Sequence, residues 1–211
     1  MKHKDFTGIV PLQYTGEEIE AEASVKSNDD QQAIFFYNKV KSRLLNVNDW
    51  HQAAGILSAR FYIIDSSGKE VTRNVQKNDY LKIDIPGPGS KEGEGFDWVL
   101  VEELKEFEEN NIQSIGFRVR PCADPFSEKN LRKDSPGETA HFYDEKSTSN
   151  FIVTRQGSEI SVTIIDRNIK PNVQTDSFSD KIRNAVAGIT AIGMFSKIQW
   201  QQLAEGLLSK N

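Results

Sequence analysis

The chain reads as an α+β protein: an antiparallel sheet of about six to seven strands, two helices after the first strand, and a long C-terminal helix. Three observations predict this. Hydrophobicity alternates with period two near the N-terminus, then switches to a helical stripe. From Leu57 to Asp166 short strand-like runs follow one another across tight turns, which favours antiparallel pairing over βαβ crossovers. The chain then ends on an apolar stripe of helical period.

In order, Glu18 to Val25 alternates Ile19, Ala21, Ala23 and Val25 against Glu18, Glu20, Glu22 and Ser24, a strand with one wet face. Ser27 to Gln31 offers N-caps and an acidic first turn, and Ala33, Phe36, Val40, Leu44 and Val47 then predict a helix over about 30–46. Asn48-Asp49 caps a second, short helix from Trp50 to Ala54, ended by Gly55. Strands are expected at Leu57 to Ile64, Tyr80 to Ile85, Phe96 to Leu104, Gln113 to Arg120, Thr139 to Tyr143, Ser149 to Arg155 and Glu159 to Asp166. Val71 to Val75 is read as pairing back across the turn Asp65 to Gly68. Two Gly-, Pro- and charge-rich stretches, Pro86 to Gly95 and Asp124 to Glu138, read as long surface loops. Ile182, Val186, Ile189, Gly193, Ser196, Trp200, Leu203 and Leu207 form one stripe of a helix over about 180–208, either continuous or broken near Gly193. Phe6 to Tyr14 suits an added edge strand.

Composition narrows function. The 211 residues carry 26 basic and 31 acidic side chains, a net charge of −5, with no basic face for phosphates. Nucleic acid and anionic membrane surfaces are therefore not expected partners, and no run is long enough to span a bilayer. The single cysteine, Cys122, excludes an internal disulfide and suits a cytoplasmic location. The length suits one domain, 1–211, because the terminal stripe has only the preceding sheet to pack on.

This order of elements resembles the helix-grip fold of the START/Bet v 1-like (SRPBCC) superfamily over Glu18 to Leu208. The resemblance implies a bent sheet wrapped around the C-terminal helix, with a cavity between them for a lipid, sterol, polyketide or other small hydrophobic molecule. In some members it implies catalysis of the polyketide cyclase or hydrolase type, and in others a co-chaperone-like interaction module. Independently, Gly188, Gly193 and Ser196 put small residues on or beside the helix stripe, at about 1 kcal/mol per glycine. Either a ligand or a bulky sheet residue such as Trp98 or Phe117 can approach there.

The three histidines show no metal-ligand spacing, and no phosphate loop or nucleophile elbow is present, so neither metal nor cofactor is expected. Cys122 reads as an ordinary partly buried thiol. Arg118 and Arg120 share a strand face opposite Phe117 and Val119. They suit a solvated pair bridged to an acid on the next strand, or a cavity pair gripping a carboxylate. His141 suits a structural role or an acid/base in the cavity. Asp166-Arg167-Asn168 reads as a local ion pair or turn. The candidate ligand-binding set is Trp98, Phe117, Arg118, Arg120, His141, Ile189, Gly193 and Ser196, with His141 the candidate catalytic residue.

Overall fold

In the computed structural model the described residues are 5–55, 59–85, 93–127, 137–172 and 186–209, the side chains of 186–195 excepted. The strands are β1 (Glu17–Lys26), β2 (Arg60–Ile64), β3 (Tyr80–Asp84), β4 (Asp97–Glu109), β5 (Ile112–Pro121), β6 (Thr148–Gln156) and β7 (Glu159–Ile169). The helices are α1 (Asp30–Leu45), α2 (Trp50–Ala54) and α3 (Val186–Leu207), with a 3-10 turn (Val47–Asp49) leading into α2. The strands form one antiparallel sheet in the order β1-β7-β6-β5-β4-β3-β2, so the first and last strands of the chain lie side by side.

Local chemistry accounts for most boundaries. Asp29 caps α1 by accepting from the Gln32 amide at 2.8 Å. Asn48 does not cap α2. Its side chain accepts from Ile63 N–H and donates to the Val71 carbonyl, sealing the free edge of β2 where a returning strand was expected. Residues 71–75 form no strand; the return is limited to the bridge of Glu70 with Ile64 and a bond from Val71 N–H to the Ile63 carbonyl. Asn110 and Asn111, with φ of 49° and 63°, turn β4 into β5, so β4 runs on through Glu109 rather than stopping near Leu104. The expected strand at Thr139 to Tyr143 is irregular. Its backbone instead wedges between strand ends, Ala140 accepting from Trp98 and donating to the Cys122 carbonyl.

The inner face of the sheet carries Phe117, Phe151, Val153, Ile160, Val162 and Ile164, which pack on Tyr37 and Val40 of α1, Trp50 of α2, and Trp200, Leu203 and Leu207 of α3. Around Trp50 the rings of Phe61, Phe117 and Phe151 lie 4.7–5.9 Å away, and Trp200 stands edge-on to Phe151 at 5.2 Å. α2 and α3 meet so tightly at Gly206 that a Cβ there would lie 2.0 Å from the Ala53 carbonyl oxygen.

The outer face is covered as well. Residues 5–16 are no edge strand but a strap laid across it. Phe6 stacks on Phe107 of β4 at 5.8 Å, Ile9 is fully buried against Gly116 and Ile152, and Arg118 donates to the Ile9 carbonyl. At its far end the Asn168 side chain accepts from the Tyr14 and Thr15 amides and donates to the Leu12 carbonyl. The chain then doubles back into β1 at Gly16, where φ is +62° and any Cβ would strike the Ile169 carbonyl. The rest of the outer face is closed by Trp98, Ile64 and Ala140, with Phe126 packed against them.

Candidate functional site

Alternation along β7 points Ile160, Val162, Ile164 and Asp166 at the inner face. Three are buried apolar residues; the fourth is a carboxyl only 1% exposed. Opposite it α3 presents Ser196 and Trp200, four residues apart and so on one helix face. Trp200 Nε1 donates to Asp166 Oδ2 at 2.8 Å, and the Tyr143 hydroxyl shares a 3.2 Å hydrogen bond with Ser196 Oγ. Ser149 on β6 stands in register with Asp166. Among the described residues Asp166 Oδ1, itself buried, has no hydrogen-bond partner.

Burial raises the Asp166 pKa to about 6, against the opposing hydrogen bond of Trp200 and the lowering influence of the nearby Ser149 hydroxyl. Burial, with Asp166 nearby, pushes the Tyr143 phenol upward too, so Tyr143 serves as a hydrogen-bonding hydroxyl and not as a base. The result is a small polar cluster inside an otherwise apolar grip. Its neighbours in sequence go elsewhere. A register shift between β1 and β7 turns Arg167 outward to pair with Glu18 and sets Asn168 at φ +57° to hold the strap. The expected local Asp166–Arg167 pair is therefore not what forms.

The eight residues singled out from the sequence do not converge. Phe117 and Ser196 face the space between sheet and α3. Trp98 faces the other way, into the outer cluster with Ile64 and Ala140, because it alternates with Val99 and Val101. Arg118 and Arg120 are also on the outer face, since Phe117 and Val119 take the inner one. Both guanidiniums bind Glu102 of β4, and Arg120 also donates to the Glu145 carbonyl. A bulge at Glu102 aims that carboxylate between them. Of the two arrangements open from the sequence, the bridged outer pair is the one found.

His141 is buried, and that burial lowers its pKa to about 3, leaving a neutral ring. Its Nδ1 accepts from Tyr143 N–H, and its ring stacks on Phe142 at 4.3 Å. It makes no contact with Arg118 or Arg120, so the structure does not assemble the three in one pocket. α3 runs unbroken through Gly193, and the side-chain surroundings of Ile189 and Gly193 lie outside the described residues. So do Pro86 to Glu92 and the start of the expected terminal helix, 180–185. Burial pushes the Cys122 thiol up to about 12, an inert state. Among the described residues no three His, Cys, Asp or Glu side chains gather to hold a metal ion. Nor is any described helix long and apolar enough to cross a membrane.

Asp166 and Trp200 were not among the expected site residues. The signal was present: a carboxylate at the inward position of an Ile-Val-Ile strand, opposite a tryptophan four residues beyond Ser196 on the helix stripe.

No family model and no curated protein matches this chain. Among solved structures, a hypothetical protein from Helicobacter pylori aligns at 12% identity over 97% of this chain and 98% of its own, with a TM-score of 0.49. Ara h 8.0201 aligns at 11% identity over 92% and 100%, TM-score 0.40. Norcoclaurine synthase from Thalictrum flavum aligns at 9% identity over 90% and 96%, TM-score 0.31. The chain's own architecture carries the assignment: an antiparallel seven-stranded sheet curved around a C-terminal helix, with two helices between its first two strands, is the helix-grip α+β fold.

Proposed function

We propose that this protein binds a small, mainly apolar molecule between the inner face of the sheet and α3. The observation that carries the reading is Asp166. A carboxyl placed at 1% exposure, with one oxygen unpaired among the described residues, is costly, on the order of 1–3 kcal/mol or more, and a folded chain tolerates that where a partner can satisfy it. The aromatic packing of Trp50, Phe61, Phe117 and Phe151 fills the grip beside the C-terminal half of α3. The ligand's place is accordingly beside Ser196 on the helix, with Phe117 on the sheet side and Asp166, Trp200 and Tyr143 at its polar end. Native mass spectrometry of the purified protein, together with thermal shifts across a panel of lipids and aromatic molecules, tests this. A bound species or a saturable stabilisation that weakens in Ser196→Leu supports it. Absence of any bound species and of any shift across the panel overturns it.

A further inference from the structure

We infer that the molecule held in this grip carries a protonated amine, which Asp166 receives through Oδ1. This rests on the binding reading above and adds the ligand's charge. The argument is one of charge balance. Asp166 sits on the inner face among Ile160, Val162 and Ile164, and among the described residues no basic side chain pairs with it. The nearest arginine in sequence, Arg167, is turned to the opposite face and engaged by Glu18. The polar groups that do reach the cluster are uncharged donors or hydroxyls: Trp200 Nε1 on Oδ2, Ser149 beside the carboxyl, and Tyr143 with Ser196. Among the described residues Glu17 also acts on Tyr143, and it brings no positive charge.

A carboxylate in a dry site, with no counter-ion among the described residues, is worth most to a ligand that brings a positive charge together with a hydrogen-bond donor. A neutral alcohol satisfies the open oxygen but leaves the charge uncompensated.

The test compares octylamine with octanol and naphthylmethylamine with naphthylmethanol, by calorimetry on the full chain. The inference expects each amine to bind at least about ten-fold tighter than its alcohol near pH 7.5, and that preference to vanish in Asp166→Asn. A measurement without any variant guards against a misfolded mutant. On the unaltered protein, amine affinity falls as the pH drops from about 7.5 to about 5 and Asp166 takes up its own proton, while alcohol affinity stays flat. Tyr143 does not titrate in that window, its phenol being pushed upward. Equal binding of amine and alcohol, or an amine preference unaffected by pH, overturns the inference while leaving the binding reading standing. Failure of all four probes to bind overturns the inference and counts against the binding reading with it.

Discussion

Replacing Asp166 by asparagine keeps an oxygen for Trp200 Nε1 while removing the charge, and this should change how the stability of the fold depends on pH. In the folded chain burial lifts this carboxyl from 3.8 to about 6. A group raised in this way favours folding when protonated. Its contribution is fully present below 3.8 and is lost as the pH rises through about 6. The difference, 6 − 3.8, is about 2 pKa units, or about 3 kcal/mol at 1.36 kcal/mol per unit. About 2 kcal/mol of that falls between pH 4.5 and pH 7.5. The assay is urea unfolding of both proteins across that range, read as the stability of Asp166→Asn minus that of the parent. This difference should grow by about 2 kcal/mol toward pH 7.5, whatever constant offset the amide introduces. Taking the difference cancels the other carboxylates, which titrate equally in both proteins. A difference flat to within about 0.5 kcal/mol would refute the claim that Asp166 is held uncompensated in a dry site.

Three further outcomes are expected. Trp200→Phe leaves Asp166 Oδ2 without its donor and costs about 1–3 kcal/mol, read by the same unfolding measurement; no loss would mean that the 2.8 Å bond contributes nothing. Burial pushes Glu102 up, but Arg120 and Arg118 outweigh it and hold the carboxyl below 4.5, so its contribution is present above 4.5 and fades as the pH falls through the lower folded value. Glu102→Gln should therefore lose about 1 kcal/mol at neutral pH and lose less in acid; equal losses at both would remove the carboxylate from the account. Gly206→Ala forces a methyl against the Ala53 backbone and should cost about 1–3 kcal/mol, whereas Gly55→Ala meets no atom within 4 Å and is disfavoured only by its φ of +93°.

The sequence made some of this structure plain and hid the rest for physical reasons. Helix α1 was legible because one face of it meets the core, so burial writes a period into the residues, and β6 and β7 because they are short, almost wholly buried runs set off by a glycine turn. The far arm of β4 was not. From Glu102 to Glu109 both of its faces carry charge or half-exposed side chains, and a strand that commits little surface to burial leaves no alternation. The strap was hidden because Phe6 and Ile9 are isolated apolar contacts and the rest is held by side-chain to backbone hydrogen bonds, which have no repeat. At the candidate site the face assignment of Arg118 and Arg120 followed from Phe117 and Val119, yet Trp98 misled. Its face of β4 is buried too, beneath Phe126 and Ala140, so size alone did not indicate which side it served. Asp166 was overlooked by reading it with its neighbours as a turn, when the bulge at Asn168 separates all three.

The end of β7 works as a rivet. Within three residues it fastens the C-terminal helix on one side of the sheet through Asp166 and the N-terminal strap on the other through Asn168. The two extremities of the described chain are thus clasped at one spot. Opening there lets go of both together, so amide exchange in the strap and the fluorescence of Trp200 should report a single local event. Whatever occupies the inner face and steadies Asp166 would, by the same mechanics, be sensed on the far side of the sheet.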